Sequence, residues 1–334
     1  MGLGQPGSCM TGTQHAATLI RPMTTRVSEV RVLEPGENQV RVMLEGCGIC
    51  ASNLPVWEGR AWFDYPLEAG SPGHEGWGIV DAVGPGVDDL DVGQRVALMS
   101  GHAYAEYDIA TRDCVVPLPE ELDDEPFPGE PFGCVMNIFD RSDIRCGHTV
   151  AVVGGGFMGL LLTQLASDAG AHVVVMSHRE SALQLALTME AEDILVTKDD
   201  GHDAQRAMRL TSGRGFDRVI EVSGVQSGLD LASEIAAERA RLIIAGYHQD
   251  GTRQVNMQQW NWRGLDVINA HERSMDRYVA GVQKAIQAAL EGRLDPFPLL
   301  THTVSLGSLD SGFKLMRERP DGFVKALLLN EVDL

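Results

Sequence analysis

The chain has 334 residues, enough for one large or two ordinary domains with sizeable cores. Its 47 acidic against 27 basic residues leave a formal net charge of −20 at pH 7. Phosphate backbones and anionic lipid surfaces repel such a chain, so neither nucleic acid nor membrane is an expected partner.

Residues 1–14 are polar and Gly-rich, without the basic-then-apolar order of a secretory signal, and read as a disordered tail or as an early start ahead of Met10. A β-rich part follows. Val27–Val32 and Gln39–Leu44 alternate and carry valines on either side of the turn Glu34-Pro35-Gly36-Glu37, and Ile79–Val83, Arg95–Met99 and Tyr107–Ala110 add short strands between glycine turns. The character changes near Cys134. An apolar run, His148–Val153, leads through a glycine turn into a helical stretch, Met158–Ala169. A second run, His172–Met176, precedes a helix over Glu180–Glu190. Arg218–Val222 (strand), Gly228–Ala237 (helix), Arg241–Ala245 and Asp266–Ala270 (strands) continue the alternation, which predicts a parallel sheet with helices on its faces. Met275–Glu291 reads as a long helix. From Pro296 the pattern is strand, helix and strand, ending in Val324–Leu329, and resembles the first part again. The layout implied is an outer domain in two pieces, 15–134 and 271–334, around a nucleotide-binding domain over 135–270. No run approaches the ~18 apolar residues of a membrane span. Six scattered cysteines form no disulfide framework, and a reducing cytoplasm is the expected compartment.

Gly154-Gly155-Gly156-Phe157-Met158-Gly159 satisfies G-x-G-x-x-G. In a glycine-rich chain the pattern alone is weak, but here it follows the run Thr149–Val153 and opens a helix, the context a dinucleotide requires. Gly154 permits the tight turn, Gly156 lets the backbone approach a pyrophosphate, and Gly159 lets helix pack on strand, while the helix N-terminus offers free N–H groups to the anion. Gly154, Gly156, Phe157, Met158 and Gly159 are therefore candidate cofactor contacts. A ribose-binding acid is expected about 20 residues later. The second strand ends instead in Ser177-His178-Arg179, three further candidate contacts, of which Ser177 and Arg179 suit a 2′-phosphate. NADP is favoured over NAD. The alternative makes Arg179 a solvated helix-start residue and gives the ribose to Glu180.

The β-rich part holds Cys50 in Gly48-Ile49-Cys50-Ala51-Ser52-Asn53 and His74 in Gly73-His74-Glu75-Gly76, and Gly129-Glu130-Pro131 comes later. Thiolate, imidazole and carboxylate are the ligand set of a catalytic zinc, with a fourth position left for substrate. Such a metal lowers the pKa of a bound alcohol, so that hydride can leave the carbinol carbon for a nicotinamide.

These motifs, with Ala105-Glu106-Tyr107, Glu130-Pro131-Phe132-Gly133, Glu221-Val222-Ser223-Gly224 and Leu300-Thr301-His302, resemble in order and spacing the zinc-containing medium-chain alcohol dehydrogenases. The resemblance runs from about His15 onward and is nearest the sorbitol and threonine dehydrogenase branch. It implies an α/β fold, a Rossmann doubly wound parallel-sheet domain plus a β-rich GroES-like catalytic domain, and an NAD(P)-dependent oxidoreductase of alcohols or polyols, as a homodimer or homotetramer. It implies that Cys50 and His74 bind zinc, that Glu75 binds it directly or sits beside it, and that Glu130 occupies the remaining ligand's place, holding the metal through a water. Ser52 would take the substrate hydroxyl proton, Met158 would lie near the nicotinamide, and Lys325 would touch the pyrophosphate. Cys50, Ser52, His74 and Glu75 are thus the candidate catalytic residues.

Four departures from that pattern matter. Asn53 replaces the aspartate that usually orients the zinc-bound histidine; an amide still accepts a hydrogen bond but lacks the charge, which lowers ligand basicity. Pro55 replaces a histidine that often relays the proton, so proton exit takes another route, through water or a histidine such as His271. Only Cys114 lies between Arg95 and Glu130, so the four-cysteine structural-zinc lobe is absent and one zinc per subunit is expected. Met136-Asn137-Ile138 alters the pocket wall near the nicotinamide. Cys47 forms a C-x-x-C with Cys50, but no second pair follows, and it reads as a small buried residue; Cys134 lines the nicotinamide site or simply packs. Two rival functions remain at this level. One is a zinc-free quinone or enone reductase of the same superfamily, which would lack the Cys and Gly-His-Glu ligands. The other is a non-catalytic NADP(H)-binding sensor, supported only by Asn53 and Pro55.

Overall fold

A computed structural model describes residues 12–198, 200–248 and 251–330. The chain begins with the antiparallel pair β1 (Thr13–Arg21) and β2 (Thr24–Arg31), followed by β3 (Gln39–Ile49), the short helix α1 (Leu54–Glu58), β4 (Gly76–Val83), β5 (Arg95–Leu98), β6 (Tyr107–Thr111) and β7 (Val115–Pro117). Thr13 and Gln14 were expected in the tail but open β1. Pairing with β2 captures them, and the Gln14 side chain accepts the Tyr107 N–H at 2.8 Å. The rest of the expected tail, 1–11, lies outside the described residues.

Helix α2 (Gly129–Ser142) leads into an alternating series: β8 (Thr149–Val153), α3 (Phe157–Asp168), β9 (His172–Ser177), α4 (Glu180–Thr188), β10 (Asp193–Val196), α5 (Asp203–Leu210), β11 (Phe216–Glu221), α6 (Gln226–Ile235), β12 (Ala236–Ile244), α7 (Met257–Arg263) and β13 (Asp266–Asn269). The chain closes with α8 (Met275–Leu290), β14 (Leu300–Val304), α9 (Leu309–Glu318) and β15 (Lys325–Leu329).

The six strands β8–β13 form one parallel sheet in the order β10-β9-β8-β11-β12-β13. This is the doubly wound arrangement, and its strand order reverses between β8 and β11, where a crevice opens for a ligand. Both faces are covered. Val150, Val152, Val173, Val175 and Ile220 pack on one core, while Ala151, Val153, Val174, Met176 and Val219 pack on the other. Burial on both sides is why these strands read as continuous apolar runs rather than as alternating ones. Each fully buried Val or Leu contributes about 1.5–3 kcal/mol there.

The second sheet runs β14-β15-β3-β4-β5-β7, with β6 also on β3. Strand β15, near the chain's end, pairs antiparallel with β3, near its start, so the parallel sheet is an insertion in this fold. The alternation of β3 holds from Val40 to Leu44 and then gives way to burial on both sides at Cys47–Ile49, where the strand runs under the site. Helices α2 and α8 pack together where Gly133 and Gly281 allow close approach, and their Phe132, Val135, Val282 and Ala285 join the core of the parallel sheet. That core therefore draws on residues on both sides of 135–270. Among the described residues no helix is long and apolar enough to cross a membrane.

Candidate active site

Strand β3 delivers Cys50 to the junction of the two sheets. Its backbone stays extended (φ −92°, ψ 141°) and caps a 3-10 turn over Ala51–Asn53. The loop before β4 brings His74 and Glu75 alongside, so that one donor atom each of Cys50, His74 and Glu75 lies within 4.8 Å of the others. His74 Nδ1 is 2.9 Å from the Pro72 carbonyl. A carbonyl only accepts, so Nδ1 carries a hydrogen and Nε2 is the nitrogen free for another partner. Burial would lower the His74 pKa, but the Cys50 hydrogen bond and the charges of Cys50, Glu130 and Glu75 outweigh it and raise it to about 10. The same negative groups that hold a proton on His74 would attract a divalent cation.

Glu75 is fully buried. The Lys325 ammonium, at the start of β15, donates to its Oε1 at 2.8 Å and lies 2.6 Å from Oε2. A Cβ at Gly48 would fall 1.8 Å from Glu75 Oε2, so only glycine at that point of β3 leaves room for the carboxylate. Glu130 stands on the first turn of α2 and accepts from the Cys134 thiol at 3.2 Å. Burial and the charge of Glu75 push its carboxyl above the usual range against the opposing pull of His74. It borders the same cavity but does not join the tight group of three. Ser52 Oγ donates toward Cys50 Sγ at 3.1 Å. Asn53 does not bond His74 as expected. Its amide donates to the Pro72 carbonyl and to Tyr104 Oη, because the carbonyl already fills the space beside Nδ1.

From this cluster a cavity of about 820 Å³ runs to the glycine turn between β8 and α3 and on to the end of β9. Gly154 sits at φ +124°, a region costly for any residue with a Cβ. A Cβ at Gly159 would strike the Gly154 carbonyl at 2.0 Å, whereas one at Gly156 would meet nothing within 4 Å. The turn is thus closed where helix meets strand and open where an anion would approach the α3 N-terminus. Phe157 and Met158 line the cavity at that terminus. Lys325 lies on the Glu75 side and meets the turn at the Phe157 ring, 5.1 Å from its centroid.

At the far end, Ser177 Oγ accepts the Arg179 N–H at 3.2 Å. The Arg179 guanidinium bridges the Phe323 carbonyl (2.7 Å) and the Gly155 carbonyl (3.2 Å), so it is fixed over the turn rather than solvated. His178 turns its Nδ1 toward Thr197, 3.2 Å from the carbonyl. His271 borders the cavity, with Nε2 3.2 Å from the Gly246 carbonyl. Cys47 is fully buried and Trp57 packs against Phe313, both as core residues.

Three residues contribute in ways the sequence did not assign, Glu221 having been noted only as part of a motif. Arg319, at the C-terminal end of α9 with φ 45°, brings a second guanidinium to the Arg179 end of the cavity. Tyr104 backs Asn53. Glu221, fully buried at the end of β11, binds the Ser223 and Gly224 N–H groups at 2.8 Å each and His248 Nε2 at 2.8 Å, which fixes the loop above the crevice. Only the last had a signal, an acid ending an apolar strand.

Residues 36–120 match the alcohol dehydrogenase GroES-like domain family, and residues 158–291 match the zinc-binding dehydrogenase family. Sorbitol dehydrogenase of Halalkalibacterium halodurans is 23% identical over 96% of this chain and 97% of that enzyme. L-threonine 3-dehydrogenase of Bacillus subtilis is 26% identical over 89% and 94%. A putative zinc-binding dehydrogenase from Sinorhizobium meliloti 1021, solved bound to NADP, superposes with a TM-score of 0.81 at 24% identity, covering 96% of this chain and all of the other. By its two matched domains, its pair of sheets and these near full-length likenesses, the chain belongs to the zinc-dependent medium-chain dehydrogenase superfamily.

Proposed function

We propose that the chain transfers a hydride between the secondary carbinol of an alcohol or polyol and NADP, with one zinc per subunit. The carrying observation is that thiolate, imidazole and carboxylate donors converge within 4.8 Å at one end of the cavity whose other end is the dinucleotide turn. Cys50 and His74 Nε2 hold the metal, and Glu75 binds it or stands beside it. Glu130, set back on α2 and lining the same cavity, would take the remaining ligand's place, with a water between it and the metal. A zinc held there would supply Lewis acidity toward a substrate hydroxyl, and a nicotinamide held at the glycine turn would supply the hydride acceptor. Ser52 Oγ, beside Cys50, takes the hydroxyl proton while its own passes to water, since Pro55 on the same wall offers no group to carry it. A zinc-free reductase has no use for this donor set.

Ser177, Arg179 and Arg319 support the choice of NADP, because two guanidiniums at one end of the cavity suit a dianionic 2′-phosphate. His178 borders the same end, and Lys325 steadies the pyrophosphate side through Phe157. Arg319→Ala should raise the KM for NADP about 10–100-fold and leave that for NAD within about threefold, as expected for one charge-assisted contact. Equal effects on both cofactors would remove Arg319 from the phosphate site. A homodimer or homotetramer is supported by the open edge at β13 and by Trp262, 90% exposed on neighbouring α7. The five cysteines among the described residues are all free thiols, which suits a reducing cytoplasm.

The test combines metal analysis of protein purified without added zinc with NADP-linked oxidation of a panel of secondary alcohols and polyols. About one zinc per chain with turnover is expected. Enone reduction without zinc would overturn the proposal, as would NADPH binding with no turnover of any alcohol.

A further inference from the structure

We infer that Asn53 aims His74 at the metal without touching it, through the Pro72 carbonyl that both side chains share; this rests on the reading of His74 as a zinc ligand. Asn53 is buried, 3% exposed, and its Nδ2 donates to Pro72 O at 3.1 Å and to Tyr104 Oη at 2.9 Å. His74 Nδ1 donates to the same Pro72 O at 2.9 Å. A carbonyl oxygen has two lone pairs, and each has a partner here. The amide oxygen faces Ser52 Oγ at 3.4 Å. One orientation of the amide satisfies all these contacts, because Pro72 O needs a donor. Asn53 therefore fixes the carbonyl, and the carbonyl fixes the tautomer and plane of the imidazole.

Two consequences follow from chemistry. A histidine held by a neutral carbonyl is a weaker electron donor than one held by a carboxylate, so the metal stays more electrophilic. And aspartate, the residue usual in the family, is wrong for this chain. A carboxylate at position 53 has no hydrogen for Pro72 O, and two buried oxygens about 3 Å apart repel without one. The carbonyl shifts and the ring loses its aim.

The test measures zinc dissociation from wild type, Asn53→Asp, Asn53→Ala and Tyr104→Phe by competition with a chromophoric chelator. The visible spectrum of the cobalt(II)-loaded proteins and the Tm of the metal-free proteins are recorded alongside. Asn53→Asp and Asn53→Ala should bind zinc about 10–100-fold more weakly and shift the cobalt bands. Tyr104→Phe keeps the Asn53–Pro72 bond and should stay within about threefold of wild type in affinity, whatever its Tm. Asn53→Asp at or above wild-type affinity overturns the inference, because the acid would then be accepting from His74 directly. An unchanged Asn53→Ala overturns it as well, and so does a Tyr104→Phe loss as large as that of Asn53→Ala, which would mean general loosening. Should Asn53→Asp not fold, Asn53→Ala and its cobalt spectrum decide. A wild type that takes up no zinc sinks this inference and the zinc reading together, whereas zinc-loaded wild type with indifferent variants sinks this inference alone.

Discussion

Cys50→Ala is expected to lose stoichiometric zinc and about 10³-fold or more in kcat/KM, a loss of roughly 4 kcal/mol in transition-state stabilisation, while keeping its fold. The chemical loss is large because Cys50 supplies the only thiolate in the group of three donors. The fold survives because the loop is anchored elsewhere. The Asn53 N–H bonds the Cys50 carbonyl at 3.0 Å, which alanine keeps, and the Asn53 side chain ties the turn to Pro72 and Tyr104. Cys50 itself is only half-buried, so truncation leaves no large void. Zinc content by atomic emission, turnover, and far-UV circular dichroism together check this. Full zinc and full turnover in the variant would remove Cys50 from the site; a collapsed spectrum would mean that its role is structural.

How far residues announce their place differs between the two halves of this molecule. The parallel sheet was legible because it is buried on both faces. Runs such as Val150–Val153 and Val173–Met176 have no alternative but a covered strand, and the glycines between them meet a geometric need visible in Gly154 and Gly159. The elements that were missed carry little local signal. β10 is four residues at the sheet edge, and α5, Asp-Ala-Gln-Arg-Ala-Met-Arg-Leu, is short and polar, burying only Asp203 and Ala207. α2 holds two glycines and a proline in its first five residues, and it is helical because α8 and the core pin it there. The helix expected over Gly228–Ala237 ends at Ile235 because Ala236 already enters β12.

The site divides in the same way. Cys50 and His74 stand out only jointly with the glycine turn downstream, since a histidine beside glycines is by itself more often a turn or core residue. The geometry around them was not legible. Spacing places Asn53 near His74 but not on the far side of a carbonyl, and nothing local marks Arg319, which becomes a cavity residue because α9 ends there in a left-handed turn. Pairings such as Lys325 with Glu75 cross 250 positions, and it takes both the β15–β3 and the β3–β4 registers to bring them together.

That pairing sets the second large effect. Lys325→Met should destabilise the metal-free protein by about 3–5 kcal/mol, because buried Glu75 would lose the cation that hydrogen-bonds it, while His74, within 4.8 Å, is bonded to the Pro72 carbonyl instead. The attraction between the two is not the source of this figure; both ions lost water on burial, and the cost of an unpaired carboxylate exceeds the net worth of the pair. Adding Glu75→Gln to Lys325→Met should therefore recover most of the loss, since an amide beside a thioether demands far less. A double-mutant cycle in urea reads this as a coupling of about 3 kcal/mol or more, at the upper end of what contacting residues show. A single-variant loss below about 1 kcal/mol would mean that Glu75 finds water or takes up a proton when Lys325 is gone. Zinc adds a further discriminator. If Glu75 lies at the metal, zinc gives the orphaned carboxylate a new positive partner and should narrow the gap between variant and wild type. If Glu75 serves only Lys325, the gap is the same with and without zinc.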